Sequence, residues 1–211
     1  MRIAVLGAGG VGMGLGLAWA KAGNVIRFGV PDPRVASRKH EAKPSAAEVS
    51  FHPVSIAVTE ADVVVLATPW RAVTEALTQV GDLTGKVLID VTNPLLADFS
   101  WMEDDYTISG AERVAALAPG AHVFKAFNQT GSENMADPSA YSKRPVMFAC
   151  GDDAPSVDTV INLIEQTGFE GVYAGPLKVA RLIEPYAMLW IHLSKKLGRD
   201  FAFCLEKAAK K

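Results

Sequence analysis

Continuous apolar runs recur along the chain at residues 3–6, 25–30, 63–67, 87–91, 123–127 and 146–150. Most are unbroken rather than alternating, the pattern of strands buried on both faces. Between them, residues 12–22, 70–80, 110–117 and 154–167 carry apolar positions at helical spacing. Strands that alternate with helices predict a mostly parallel, doubly wound α/β sheet. The boundaries carry stop signals: Gly23-Asn24 ends the first helix, Gly85-Lys86 precedes the fourth run and Pro119-Gly120 the fifth.

From about Gly175 the pattern changes, so residues 1–175 read as the sheet domain and 176–211 as a C-terminal helical extension within the same domain. In that extension Leu182, Tyr186, Leu189, Trp190, Leu193 and Leu197 fall on one helical face. Pro185 begins a helix there or kinks one. Met188 and Ile191 lie off the stripe, which suits a helix buried against a second subunit, as in a homodimer, as well as one packed on its own sheet. The polar segment 34–50 is expected to be an exposed helix or a mobile loop.

Bulk properties narrow the function. At 211 residues with 49% hydrophobic and 21% charged composition, one large core is expected. A net charge of -2 gives no basic footprint for nucleic acid, so the expected partners are small molecules. Cys150 and Cys204 are too few for a disulfide framework and lack metal spacing, so both read as reduced structural residues and no metal site is expected. No run approaches the ~18 apolar residues of a membrane span, and the chain opens directly on a strand pattern, so a cytoplasmic, membrane-free location is expected.

Gly7-Ala8-Gly9-Gly10-Val11-Gly12 follows the first strand pattern and opens the first helix pattern. In that context the spacing is a dinucleotide fingerprint of the Rossmann type, with glycines for the tight turn, for backbone approach to a pyrophosphate and for helix-on-strand packing. The anion sits on backbone N–H groups at the helix N-terminus. The loop ends Gly12-Met13-Gly14, without the Lys and Ser or Thr that a phosphate-hydrolysing loop needs. Asp32 lies ~20 residues on, where an acid bonds the adenosine ribose and favours NAD. Arg34, Arg38 and Lys39 could instead hold the 2′-phosphate of NADP, and Pro31-Asp32-Pro33 also reads as a simple turn.

Further motifs occur in a fixed order: Ala67-Thr68-Pro69-Trp70, Asp90-Val91-Thr92-Asn93-Pro94, Val123-Phe124-Lys125-Ala126-Phe127-Asn128, Cys150-Gly151-Asp152-Asp153, Ala174-Gly175-Pro176-Leu177 and Arg181-Leu182-Ile183-Glu184. With the glycine loop, this series resembles the family of coenzyme F420-dependent NADP oxidoreductases, over nearly the whole chain, and is similar to the cytosolic domains of the STEAP metalloreductases. The resemblance implies hydride transfer between NADP(H) and a second ring, FMN, FAD or coenzyme F420, without a catalytic acid or base. It implies that Gly9, Gly10 and Val11 form the pyrophosphate turn, and that Thr68, Pro69 and Trp70 form the loop after the third run. Asn93 and Pro94 would line the nicotinamide side, while Phe127 and Asn128 would face the nicotinamide and the second ring. The chain departs from the family pattern at Val30-Pro31, where deazaflavin-using relatives carry Ser-Arg, which weakens NADP preference. It departs again at Asn128, where the archaeal enzymes carry histidine.

Trp70 either stacks on a ring or caps the core; Trp101 with Met102 is either part of a lid or an exposed loop aromatic. Asp152 and Asp153 read as helix caps, and His122 and His192 as structural. Lys125, inside an apolar run, either reaches the surface past the sheet end, the favoured reading, or neutralises something buried. Two other functions compete. A small imine or hydroxyacid reductase usually needs a second helical domain, for which too few residues follow Gly175, and no Tyr-x-x-x-Lys pair is present. A non-enzymatic dinucleotide-sensing module remains compatible with the fold.

Overall fold

A computed structural model describes residues 1–40, 49–98, 100–103 and 107–208. The strands are β1 (Arg2–Leu6), β2 (Val25–Gly29), β3 (Val49–His52), β4 (Val63–Leu66), β5 (Val87–Asp90), β6 (His122–Lys125), β7 (Val146–Gly151) and β8 (Glu170–Gly175). They form one sheet in the order β3-β2-β1-β4-β5-β6-β7-β8, parallel except where β6 meets β7. The helices are α1 (Gly10–Lys21), α2 (Pro33–His40), α3 (Val54–Ala57), α4 (Val73–Val80), α5 (Gly110–Leu117), α6 (Ser132–Ala136), α7 (Val157–Gln166) and α8 (Ala180–Leu197). The result is the expected Rossmann-type α/β fold with a C-terminal helix.

Side chains alternate along each strand, so the unbroken apolar runs serve two cores. Ile3, Val5, Val63 and Val65 join Met13, Trp19, Leu163 and Ile164 under α1 and α7. Ala4, Leu6, Val64 and Leu66 join Leu77, Val114 and Ile183 under α4, α5 and α8. The order reverses between β1 and β4, which opens a crevice at their carboxyl ends, the place where ligands bind in open α/β sheets.

Several expectations need correction. Strands β3 and β8 were not anticipated, because both are edge strands whose residues are mostly half-buried and partly polar. The segment 34–50 divides into α2, residues 41–48 outside the described residues, and the start of β3. The helices expected at 70–80 and 154–167 each begin with a turn of 3-10 helix. In α8 the expected stripe points largely outward: Leu182, Leu189 and Leu197 are exposed, and the buried face carries Ile183, Glu184, Ala187, Met188 and Trp190. Glu184 interrupts that inward face with a charge, which hides it from a hydrophobic reading. Pro185 lies inside the helix, where it removes one backbone donor. After α8 the chain returns across the fold, and Phe203 O accepts from Val146 N while Phe201 O accepts from the Trp190 indole. Among the described residues no helix is long and apolar enough to cross a membrane.

Candidate functional site

The glycine turn joins β1 to α1 at the crevice. Gly7 adopts φ +106°, and a Cβ there would meet Ala67 O at 2.6 Å, so the turn is pressed against the end of β4. A Cβ on Gly12 would lie 2.2 Å from Gly7 O, which lets α1 start directly over the strand. Gly9 differs: it is exposed, with none of the described residues within 4 Å of where its Cβ would stand. Among the described residues no side chain caps α1, and the N–H groups of its first turn have no intrahelical partners. Beside the turn, the buried Thr68 Oγ1 has no hydrogen-bond partner among the described residues. A cradle open at Gly9, unclaimed donors on a helix N-terminus and an orphaned hydroxyl fit a dinucleotide pyrophosphate. Val11 is half-buried and packs against the core under α1.

At the end of β2, Asp32 Oδ1 accepts from Arg34 N at 2.9 Å and Val35 N at 3.1 Å. That oxygen caps α2, as the turn reading of Pro31-Asp32-Pro33 anticipates. Arg34 and Arg38 stand exposed on α2, with Arg38 Nε 3.4 Å from Arg34 O. Next to them, His52 at the end of β3 hydrogen-bonds Ser50, and burial followed by the Arg27 charge lowers its pKa.

Beyond β5 and β6 two asparagines meet. Asn93 Nδ2 donates to Asn128 O at 2.8 Å, and Asn128 Nδ2 returns a bond to Asn93 Oδ1 at 2.9 Å. Gln129 donates to Asn128 Oδ1 and bonds both main-chain groups of Phe148, extending the β6–β7 pairing past the point where the strands separate. Phe127 does not face the crevice as its family position implies. Its ring is fully buried, edge-on to Trp19 at 5.5 Å, because the residue takes φ +57° and turns inward. Pro94 likewise is buried, packed on Gly110 of α5. The half-buried Trp70 ring packs on the core under α4, and its indole N–H donates to Glu103 at 2.7 Å. Residues 94–96 and 101–103 lie against each other, with Leu95 bridged to Met102, Glu103 N bonded to Pro94 O, Met102 buried and Trp101 exposed.

Lys125 corrects the surface expectation. It is wholly buried, with Nζ 2.6 Å from Asp90 Oδ2 and 2.8 Å from Glu184 Oε1. Burial alone would lower its pKa, but the Asp90 and Glu184 charges outweigh that and raise it. Asp90 and Lys125 are register partners on adjacent strands. Asp90, Lys125, Glu184 and Gln129 were not singled out as site residues, although a charge ending each of two adjacent apolar strands was a legible signal for an ion pair. Elsewhere, Cys150 is buried, with burial pushing its thiol up to about 12, whereas Cys204 is exposed rather than part of the core. Asp153 accepts from Ser156 N and lies 3.2 Å from His122, while Asp152 holds Leu177 N.

Residues 2–94 match the family described as NADP oxidoreductase, coenzyme F420-dependent. The F420-dependent NADP reductase of Methanothermobacter thermautotrophicus is 31% identical over 92% of this chain and 89% of its own length. The metalloreductase STEAP3 of Rattus norvegicus is 28% identical over 87% of this chain, which spans only 36% of that protein. A crystal structure of a candidate F420-dependent NADP reductase from Arthrobacter sp. FB24 superposes with a TM-score of 0.89 at 30% identity, covering 98% of this chain and 100% of that one.

Proposed function

Because the chain belongs to the coenzyme F420-dependent NADP oxidoreductase family and is an NADP-dependent oxidoreductase, we propose that it moves a hydride between NADP(H) and a deazaflavin or flavin ring. The observation that carries this reading is the row of ligand-competent groups at the carboxyl ends of β1, β4, β5 and β6: open Gly9, unpartnered Thr68 Oγ1, and the Asn93–Asn128 pair. Reduced nicotinamide, when bound, supplies the hydride. The chain's own residues bind, orient and exclude water.

In this reading Gly9, Gly10 and Val11 hold the pyrophosphate and Arg34 of α2 takes the 2′-phosphate, since Asp32 Oδ1 serves as a helix cap. Asn93 and Asn128 keep free hydrogen-bonding capacity beyond their mutual bonds and border the nicotinamide. The groups gathered there are amides and a hydroxyl, which fix a ring in place. Orientation of two faced rings supplies the rate, so a protein proton donor is unnecessary. Thr68, Pro69 and Trp70 form the opposite wall, tied to Glu103 through the Trp70 indole.

The test is turnover of NADPH with coenzyme F420, FMN and FAD in separate assays. Oxidation of NADPH by the deazaflavin or a flavin supports the proposal. Tight NADPH binding with no oxidation by any of the three would favour a sensing role instead.

A further inference from the structure

We propose that Lys125, Asp90 and Glu184 form a positioning network that fixes Asn93 from both sides and so immobilises the nicotinamide ring, a proposal that rests on the ring lying beside Asn93 and Asn128. Three charges with no access to solvent are an expensive way to join strands and helices, and apolar residues of similar volume often stabilise a core as well or better. Where the network's bonds end therefore matters more than its contribution to stability.

They end on the neighbours of Asn93. Asp90 Oδ1 accepts from Thr92 N at 2.9 Å and from Thr92 Oγ1 at 2.7 Å, while Lys125 Nζ donates to Thr92 O at 2.8 Å. Every polar group of the residue preceding Asn93 is thereby held. On the other side, Glu184 accepts from Gly110 N at 2.8 Å and Ala111 N at 3.1 Å, fixing the start of α5. Gly110 in turn abuts Pro94: a Cβ there would meet Pro94 Cδ at 3.1 Å and Glu184 Oε1 at 3.2 Å. Lys125 joins the two halves. The partner amide is set from the same lysine, because Lys125 ends β6 and two residues later Phe127 holds φ +57° before Asn128. A left-handed conformation in a non-glycine residue persists only where its surroundings over-determine it. Here the Phe127 ring is locked in the core against Trp19 and Lys125 is locked by two carboxylates.

The experiment compares binding of NADPH with that of 2′,5′-ADP, which lacks the nicotinamide, by calorimetry, together with the anisotropy of nicotinamide fluorescence. The variants are Asp90→Asn, Glu184→Gln, Thr92→Val and Asn93→Ala. Leu163→Ala, in the core under α7, serves as a control for loss of stability alone. NADPH affinity is expected to fall about fivefold to tenfold in Asp90→Asn and Glu184→Gln, and about twofold to threefold in Thr92→Val. Nicotinamide anisotropy should fall with it, while 2′,5′-ADP affinity stays within about twofold. If Asn93→Ala weakens NADPH but folded Asp90→Asn, Glu184→Gln and Thr92→Val bind both ligands as the wild type does, the network is structural only and the proposal fails. Should the two charge variants not fold, Thr92→Val decides alone. An equal, NADPH-selective loss in Leu163→Ala would also overturn the proposal, as general loosening. If Asn93→Ala changes neither ligand, the ring is not there, and the reading beneath the proposal falls with it.

Discussion

Alanine at Gly9 and alanine at Gly12 should fail in different ways, although the residues lie three apart in one turn. Gly9 has φ −78° and ψ −171°, a conformation open to any residue, and its new methyl would touch nothing. Gly9 is the N-cap of α1, where glycine is favoured over alanine, so stability should fall by up to about 1 kcal/mol, leaving Tm within about 4 °C of the wild type. The same methyl would occupy the space that the pyrophosphate needs. Charge-assisted hydrogen bonds are worth about 1.5–3 kcal/mol each, and losing one of them weakens NADPH binding by roughly tenfold to a hundred-and-fiftyfold. At Gly12 the methyl would stand 2.2 Å from Gly7 O, a backbone atom that cannot swing aside. Overpacking of that kind costs about 1–3 kcal/mol, so Tm should drop by several degrees and binding should fail as well. Thermal melts and NADPH calorimetry on both variants decide the matter. Folded Gly9→Ala protein that binds NADPH within about threefold of the wild type would refute the placement of the pyrophosphate on this turn.

Other predictions follow from separate parts of the molecule. Arg34→Ala should weaken NADPH about fivefold to tenfold and leave NADH unchanged, as expected for one exposed cation on a phosphate; equal effects on both would place the 2′-phosphate elsewhere. A thiol reagent at mild alkaline pH should modify Cys204 promptly and Cys150 only after unfolding, since burial pushes the Cys150 thiol up to about 12; two rapid equivalents in folded protein would contradict the buried strand position. Glu112 completes a capping box with Ser109 and a two-bond pair with Arg181, and the Arg181 bonds hold its pKa at about 2 against an ordinary 4.5. A depressed carboxylate stabilises above its unfolded pKa and loses that contribution as pH falls toward its folded one. The shift corresponds to at most about 3 kcal/mol, and screening of this partly exposed pair reduces it to about 1–2. The Tm advantage of wild type over Glu112→Gln should therefore be full near neutral pH and shrink as pH drops below about 4.5; a constant gap would argue against the pair.

Much of the fold was readable because parallel strands buried on both faces leave unbroken apolar runs, and the glycine turn states its own geometry. The edge strands β3 and β8 escaped notice because none of their residues is fully buried and several are polar, so no such run forms. The inward face of α8 was misread for a different reason. Glu184 is buried where Lys125 and the first N–H groups of α5 meet it, partnerships across roughly sixty to seventy residues that no local periodicity records. The site was legible where backbone shape dictates residue type, as at Gly7, Gly9 and Gly12. It was less legible where a side chain could turn either way: Phe127 sits on the strand end beside Asn128, yet its positive φ sends the ring into the core. Asn93 and Asn128 could be placed at neighbouring strand ends from the fold alone, but their reciprocal bonds, and the use of Gln129 to extend the sheet, depend on side-chain geometry.

The most direct test of the central claim is single-turnover reduction of coenzyme F420 by NADPH bound to the purified protein, with the transferred hydrogen carried as deuterium on the nicotinamide. The account predicts that the label arrives on the deazaflavin ring and that the transfer step slows with deuterium, as direct passage between two held rings requires. Bound NADPH that transfers no hydride to coenzyme F420, or transfer in which the label is lost to solvent, would contradict it.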